Sequence, residues 1–195
     1  MVQTRRAVGY SAVSTLLWRE REALQLLLFK LVEEQLILQA GQIRLLPDAN
    51  QEIELAVDQL RCAEVLRAAE VDAIAEQLEV AELPTLAEFS EAAPEPWATV
   101  FTEHRESLRQ LVDEVETATG TNRALLVAGA RSQRVRATQT AAVPNTIALK
   151  SQLSDLQDID LANTVVDMTT ADTAYQSALA TTAKIRQISL VDYLR

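Results

Sequence analysis

The chain has 195 residues, with 18 Lys+Arg against 28 Asp+Glu and a formal net charge of −10. That acidity speaks against nucleic acid and against an anionic membrane as partners, because like charges repel. Four glycines and five prolines, with almost no strand-type alternation, give an all-α expectation: an antiparallel long-helix bundle or coiled coil.

The first helix is predicted from about Ser11 to about Leu46. Leu17, Leu24, Leu31, Leu38 and Leu45 recur every seven residues, one column of a heptad seam. Leu16, Leu27, Leu28 and Ile37 widen the column into a bundle-type face. The run Leu24–Ile37 is broken by Lys30, Glu33 and Glu34, so it is no membrane span. No secretory signal is expected: Arg5-Arg6 is followed only by short apolar stretches broken by charges at Arg19, Glu20, Arg21 and Glu22. Pro47 is expected to end the helix, with Asp48 or Asn50 capping the next.

The second helix is predicted from about Asn50 to about Val80. Its seam of Ile53, Val57, Leu60, Val71, Ile74 and Leu78 is interrupted by Glu64 and Arg67, and Ala63 and Leu66 are expected to serve the seam there. Residues 81–96 read as an elbow. Within it, Thr85 and Glu88 form a capping box for a short helix Leu86–Glu91, closed by Pro94 and Pro96. A third long helix starts near Trp97. Its seam alternates four-three through Trp97, Phe101, His104, Leu108, Leu111, Val115, Ala118, Asn122, Leu125, Gly129 and Ser132. After Leu126 that seam turns small and polar, which calls for a partner. Residues 138–146, uncharged and containing Pro144, are expected to be a linker. A short helix over Ile147–Leu156 and a longer one from about Leu161 to about Ile185 follow, the latter capped by Asp158 or Asp160. Residues 189–195 read as extended or a last turn.

No catalytic constellation is visible, and neither a metal nor a cofactor is expected. His104 is the only histidine and falls on a seam, so it reads as a packed residue. The Glu-x-x-His motif of carboxylate-bridged metal bundles is missing, as is a glycine-rich phosphate loop. Cys62, the single cysteine, excludes an intramolecular disulfide, fits a reducing cytoplasmic setting and reads as a small buried or half-buried residue. The pairs Glu33-Glu34 and Asp113-Glu114 read as solvated faces. Asn122 has two readings: a register-setting polar residue or solvent-exposed helix end, or a hydrogen-bonding partner for the backbone of a bound cargo helix.

Composition changes along the chain. Residues 1–140 carry 18 Glu, whereas residues 141–195 carry none and use Asp alone. Glu suits helix interiors and Asp suits caps and turns. The stretch beginning Asp158-Ile159-Asp160-Leu161-Ala162, continuing Thr173-Ala174-Tyr175-Gln176-Ser177-Ala178-Leu179 and ending Ile188-Ser189-Leu190-Val191-Asp192-Tyr193-Leu194 resembles the C-terminal segment of bacterial flagellar axial proteins. It is most similar to the hook–filament junction type, FlgL, within the flagellin-like family. The leucine-heptad first helix with Glu33-Glu34, the elbow Leu83–Ala93 before Pro94-Glu95-Pro96-Trp97, and Thr121-Asn122-Arg123-Ala124-Leu125-Leu126 resemble the FlgN family of flagellar export chaperones. Those chaperones bind the C-terminal tails of hook–filament junction proteins.

The two resemblances together imply a chaperone over residues 1–137, a linker over 138–146 and a cargo segment over 147–195. They imply that the tail is masked and kept soluble until export, through helix-in-groove recognition. Leu161, Val165, Met168, Asp172, Tyr175 and Leu179 share one face of the tail helix. The expected tail anchors are Leu161, Val165, Val166, Met168, Tyr175, Leu179, Ile185, Ile188 and Leu190. The expected groove is Leu108, Leu111, Val115, Asn122, Leu125 and Leu126. The implied partners are the junction-protein tail, docked in cis or from a second copy in a swapped homodimer, and the export apparatus. The chaperone part would work in the cytoplasm and the cargo would leave for the extracellular flagellum. An alternative reading is a structural helical bundle with no separable cargo.

Overall fold

A computed structural model of the chain describes residues 2–78, 85–147, 157–185 and 190–194. The described residues are helical throughout apart from turns: α1 (Val2–Gln39), a 3-10 turn (Ile43–Leu45), α2 (Leu46–Leu78), α3 (Leu86–Ala92), α4 (Trp97–Ile147), α5 (Gln157–Ile185) and α6 (Leu190–Tyr193). The fold is an all-α bundle.

Helix α1 buries Tyr10, Val13, Leu17, Glu20, Leu24, Leu27, Leu31 and Glu34, an alternation of three and four residues with Leu38 half-buried at its end. Two of these seam positions are glutamates. The chain turns at Gly41 and not, as expected, at Pro47. Gly41 adopts φ 65, the left-handed region that glycine enters without penalty. The Gln42 N–H then donates to Ile37 O at 3.0 Å and the Gly41 N–H to Leu38 O at 3.2 Å, which closes the last carbonyls of α1. Leu45, one of the predicted heptad leucines, lies beyond the helix and is exposed. Pro47 sits in the first turn of α2, where its missing N–H has no intrahelical acceptor to lose.

Helix α2 returns antiparallel to α1, tied by Lys30–Glu52 at 2.6 Å near one end and Arg67–Glu20 at 2.6 Å near the other. The capping box predicted for α3 is present: Thr85 Oγ1 accepts from the Glu88 N–H, and Glu88 Oε2 accepts from the Thr85 N–H. Helix α3 delivers Phe89 into an aromatic cluster with Tyr10, Trp97 and Phe101, whose ring centroids lie 4.9 to 6.2 Å apart. From there α4 runs parallel to α1. Ser14 Oγ meets His104 Nε2 at 3.1 Å, and further along Asn122 Nδ2 donates to Leu31 O at 2.7 Å. His104 is packed as predicted, edge-on to Trp18 at 5.3 Å. Burial, and then the nearby Arg21, hold its pKa below the usual histidine value.

The segment expected as linker, 138–146, is helical and forms the last part of α4. Its alanines favour helix, it contains no glycine, and Pro144 enters only in the last turn. Helix α5 starts at Gln157, earlier than the predicted Leu161, and runs antiparallel to α4 and alongside α2. The long helices thus form a ring in the order α1, α2, α5, α4, with α1 and α5 at opposite corners.

Three further expectations are corrected. Glu34 is not solvated: it is buried on α1, and its Oε2 accepts from Asn122 Nδ2 at 2.8 Å. Leu66 does not replace Arg67 at the α2 seam; Leu66 is exposed, and Glu64 and Arg67 stay buried there with Ala63. Cys62 is exposed, because the face bearing Leu60, Ala63 and Glu64 turns it outward. The end of α2 beyond Leu78, the elbow as far as Pro84, and residues 148–156 of the expected short helix lie outside the described residues.

Candidate functional site

Helices α2 and α4 both pack on α1, and the groove between them is filled by α5. At its upper end, by the α1–α2 turn, Tyr175 is buried with Ala174, Ala178, Leu46 and Leu126; Leu38, Ile43, Ala130 and Leu179 pack round them. Here α4 has to come close to the tyrosine. A Cβ on Gly129 would lie 2.5–2.6 Å from atoms of the Tyr175 ring, so glycine is what lets the ring seat. Gly129→Ala should therefore act with opposite signs in two settings. In residues 1–147 alone it should stabilise α4 by about 1 kcal/mol, the ordinary preference of a helix for alanine. In the whole chain it should destabilise by roughly 1–3 kcal/mol through overpacking. Urea melts of both proteins check this, and a gain of stability in both would show that Tyr175 does not need the gap.

Along the α2 edge the contacts are polar. Asn50 Nδ2 donates to Ser177 Oγ at 2.9 Å, while Thr181 Oγ1 and Lys184 Nζ both donate to Glu54 Oε1, at 3.0 and 2.7 Å. The Lys184 ion pair is exposed and holds the Glu54 carboxyl below its usual range. Pairs of this kind orient the tail more than they stabilise it.

At the lower end the tail enters the main core. Ile185, Leu190 and Leu194 belong to the same cluster as Leu17, Leu60 and Phe101. Around them lies a buried polar socket. Glu64 Oε1 accepts the Leu190 backbone N–H at 2.9 Å. The Arg67 guanidinium lies 3.6 Å from the centroid of the Tyr193 ring, and its Nε donates to Glu20 Oε1 at 2.6 Å. From α4, Arg105 Nε donates to Leu194 O at 3.0 Å. Burial pushes the Glu20 carboxyl up to about 7, against the pull of Arg67, and pushes the Tyr193 hydroxyl up to about 12. The socket thus joins two guanidinium cations, two carboxylates and an aromatic ring in a poorly hydrated place, where each interaction is stronger than at the surface.

Of the expected tail anchors, the structure buries Tyr175, Ile185 and Leu190, and leaves Met168 and Leu179 half-buried. Val166 is exposed at 61%, which removes it from the recognition face. The side chains of Leu161, Val165 and Ile188 lie outside the described residues. Of the expected groove residues, Leu126 packs with Tyr175 and Leu125 is half-buried. Leu108 and Val115 lie in the main core, with Leu111 packed against it. Asn122 faces α1, where its amide bridges Leu31 and Glu34; of its two readings the structure carries the register-setting one.

Sequence reasoning missed the second wall of the groove. Asn50, Glu54, Glu64 and Arg67 of α2 all engage the tail. The available signal was the charge at seam positions 64 and 67, which marks a site where a partner must answer it.

The geometry defines a class: a long-helix bundle whose fourth corner is a C-terminal helix laid into a groove between two others. The FlgN protein family model matches residues 1–134, and the chain belongs to that family. The model for the bacterial flagellin C-terminal helical region matches residues 109–194, overlapping the first over 109–134. The chain therefore joins a FlgN unit to a flagellin-type C-terminal segment, which gives it a flagellar, export-chaperone-like character. Neither a curated protein nor a solved structure gives a match. No helix among the described residues is long and apolar enough to cross a membrane.

Proposed function

We propose that the FlgN unit is an export chaperone holding the C-terminal helix of a hook–filament junction protein, and that this chain carries chaperone and cargo together. The observation that supports this most is the seating of α5: it turns Tyr175, Ala178 and Ile185 inward between α2 and α4, while α1 already ties those two helices together. A tail held this way has its apolar surface masked and stays soluble until it is handed to the export apparatus. The same groove accepts a tail from a second copy, the swapped arrangement, because the contacts that hold α5 do not depend on the connection to α4. The chaperone acts in the cytoplasm, and only the cargo is destined for the extracellular flagellum.

The second reading, a permanent four-helix core with no separable cargo, is favoured by one observation: Ile185, Leu190 and Leu194 share a single cluster with residues of α1, α2 and α4. Residues 1–147 alone separate the two. A chaperone should give a helical, cooperatively melting protein with a lower Tm than the whole chain, and added 157–195 peptide should raise that Tm by mass action. An unfolded 1–147 overturns the chaperone reading and leaves the permanent core.

A further inference from the structure

We propose that the Glu64–Arg67–Arg105 socket is the specificity reader of this groove, selecting tails that carry a Leu-x-x-Tyr-Leu pattern. The inference rests on the chaperone reading and adds to it what the partner must carry.

The upper groove selects weakly. Leu46, Leu126 and Ala130 offer apolar surface that many amphipathic helices could fill. The edge contacts at Asn50 and Glu54 meet Ser177, Thr181 and Lys184, and another polar side chain could take each place. The socket differs in being directional and, apart from the half-buried Arg105, buried. Glu64 and Arg67 are 7% and 5% exposed, and Glu20 is 0% exposed. Glu64 fixes where the backbone N–H of the first leucine must lie, and Arg105 where the carbonyl of the last must lie. Between them the Arg67 guanidinium carbon lies over the tyrosine ring, 3.6 Å from its centroid.

Glu20 is a positioning residue: it holds Arg67 through Nε and does not itself hydrogen-bond the tail. A tail with an aliphatic residue in place of Tyr193 would leave the Arg67 face buried without its ring. Loss of that buried ring contact, with the guanidinium still held in place by Glu20, discriminates between tails in a way that apolar fit alone does not. Lysine cannot substitute for Arg67, since it lacks the planar group that stacks.

The test is a double-mutant cycle in the whole chain, read by hydrogen exchange at the amides of 190–194. Tyr193→Leu should raise their opening at least about tenfold when Arg67 is present, a loss typical of a desolvated cation–π contact. In an Arg67→Lys background the same change should have little effect, because the reader is already gone. Tyr175→Leu, at the other end of the groove, should cost the same in both backgrounds. An equal effect of Tyr193→Leu in both backgrounds overturns the proposal. So does unchanged protection of 190–194 in Arg67→Lys itself. Should Arg67→Lys lower protection throughout α1, Glu64→Gln serves as the second background, with loss confined to 190–194 expected and global loss counting against the socket. The cycle needs no separable tail, so its failure is distinct from failure of 1–147 to fold.

Discussion

Tyr175→Ala is expected to lower the stability of the docked tail by about 3–4 kcal/mol, the usual cost of removing a buried aromatic side chain. Tyr175 is 4% exposed and packs with Leu46 and Leu126 across the gap left by Gly129. Its removal opens a cavity that alanines 174 and 178 are too short to refill. Leu179 stands on the same face but is only half-buried, so Leu179→Ala should cost about 1 kcal/mol. Val166→Ala should be neutral, since that side chain already stands in water. Calorimetric binding of variant 157–195 peptides to residues 1–147 checks the order. A loss at Leu179 equal to that at Tyr175 would mean that α5 sits rotated from the position described.

The class of fold was legible because α1 and α4 write their seams in the three-and-four alternation of a bundle helix. Where apolar residues occupied that alternation, the sequence reading placed them well: Leu17, Leu24 and Leu31, or Phe101, Leu108 and Val115. It failed where the seam is polar. Glu20, Glu34, Glu64 and Arg67 all sit at buried positions, and periodicity in hydrophobicity does not register them. Their pairing across helices, Glu20 with Arg67 and Glu34 with Asn122, exists only once the helices are side by side. The turn at Gly41 was missed for a related reason. A proline announces a break by chemistry alone, whereas one glycine ends a helix only if the following residues can reach back to its last carbonyls.

The overlap of the two family matches over 109–134 has a structural counterpart in α4. Up to Asn122 this helix packs on α1 as part of the chaperone core. From Leu126 it leaves the α1 seam and pairs with α5, as one arm of an antiparallel hairpin. A single continuous helix serves both units, so the change of partner occurs without a change of secondary structure. That is why a linker was expected at 138–146 and a helix is found there: composition shifts along α4, while helix propensity does not.

Phe101→Ala supplies the contrast to Tyr175→Ala, because it strikes the aromatic core of the FlgN unit rather than the upper groove. Phe101 is fully buried at the far end of the bundle, with Phe89 at 4.9 Å and Tyr10 and Trp97 at 6.0 Å between ring centroids. Its loss should cost about 4 kcal/mol, by the same cavity argument. Most of that cost should appear in residues 1–147 as well as in the whole chain, since the aromatic partners of the ring lie in α1, α3 and α4. The effect of Tyr175→Ala instead has a floor: once the tail is off, the core keeps the stability of residues 1–147 and further damage to α5 changes nothing. Hydrogen exchange of the α1 amides reads both. Under the chaperone reading, Phe101→Ala lowers their protection in either protein, and Tyr175→Ala lowers it no further than the 1–147 level. If Tyr175→Ala drives α1 protection below that floor, the tail belongs to one cooperative core with α1, and the bundle is a permanent four-helix structure.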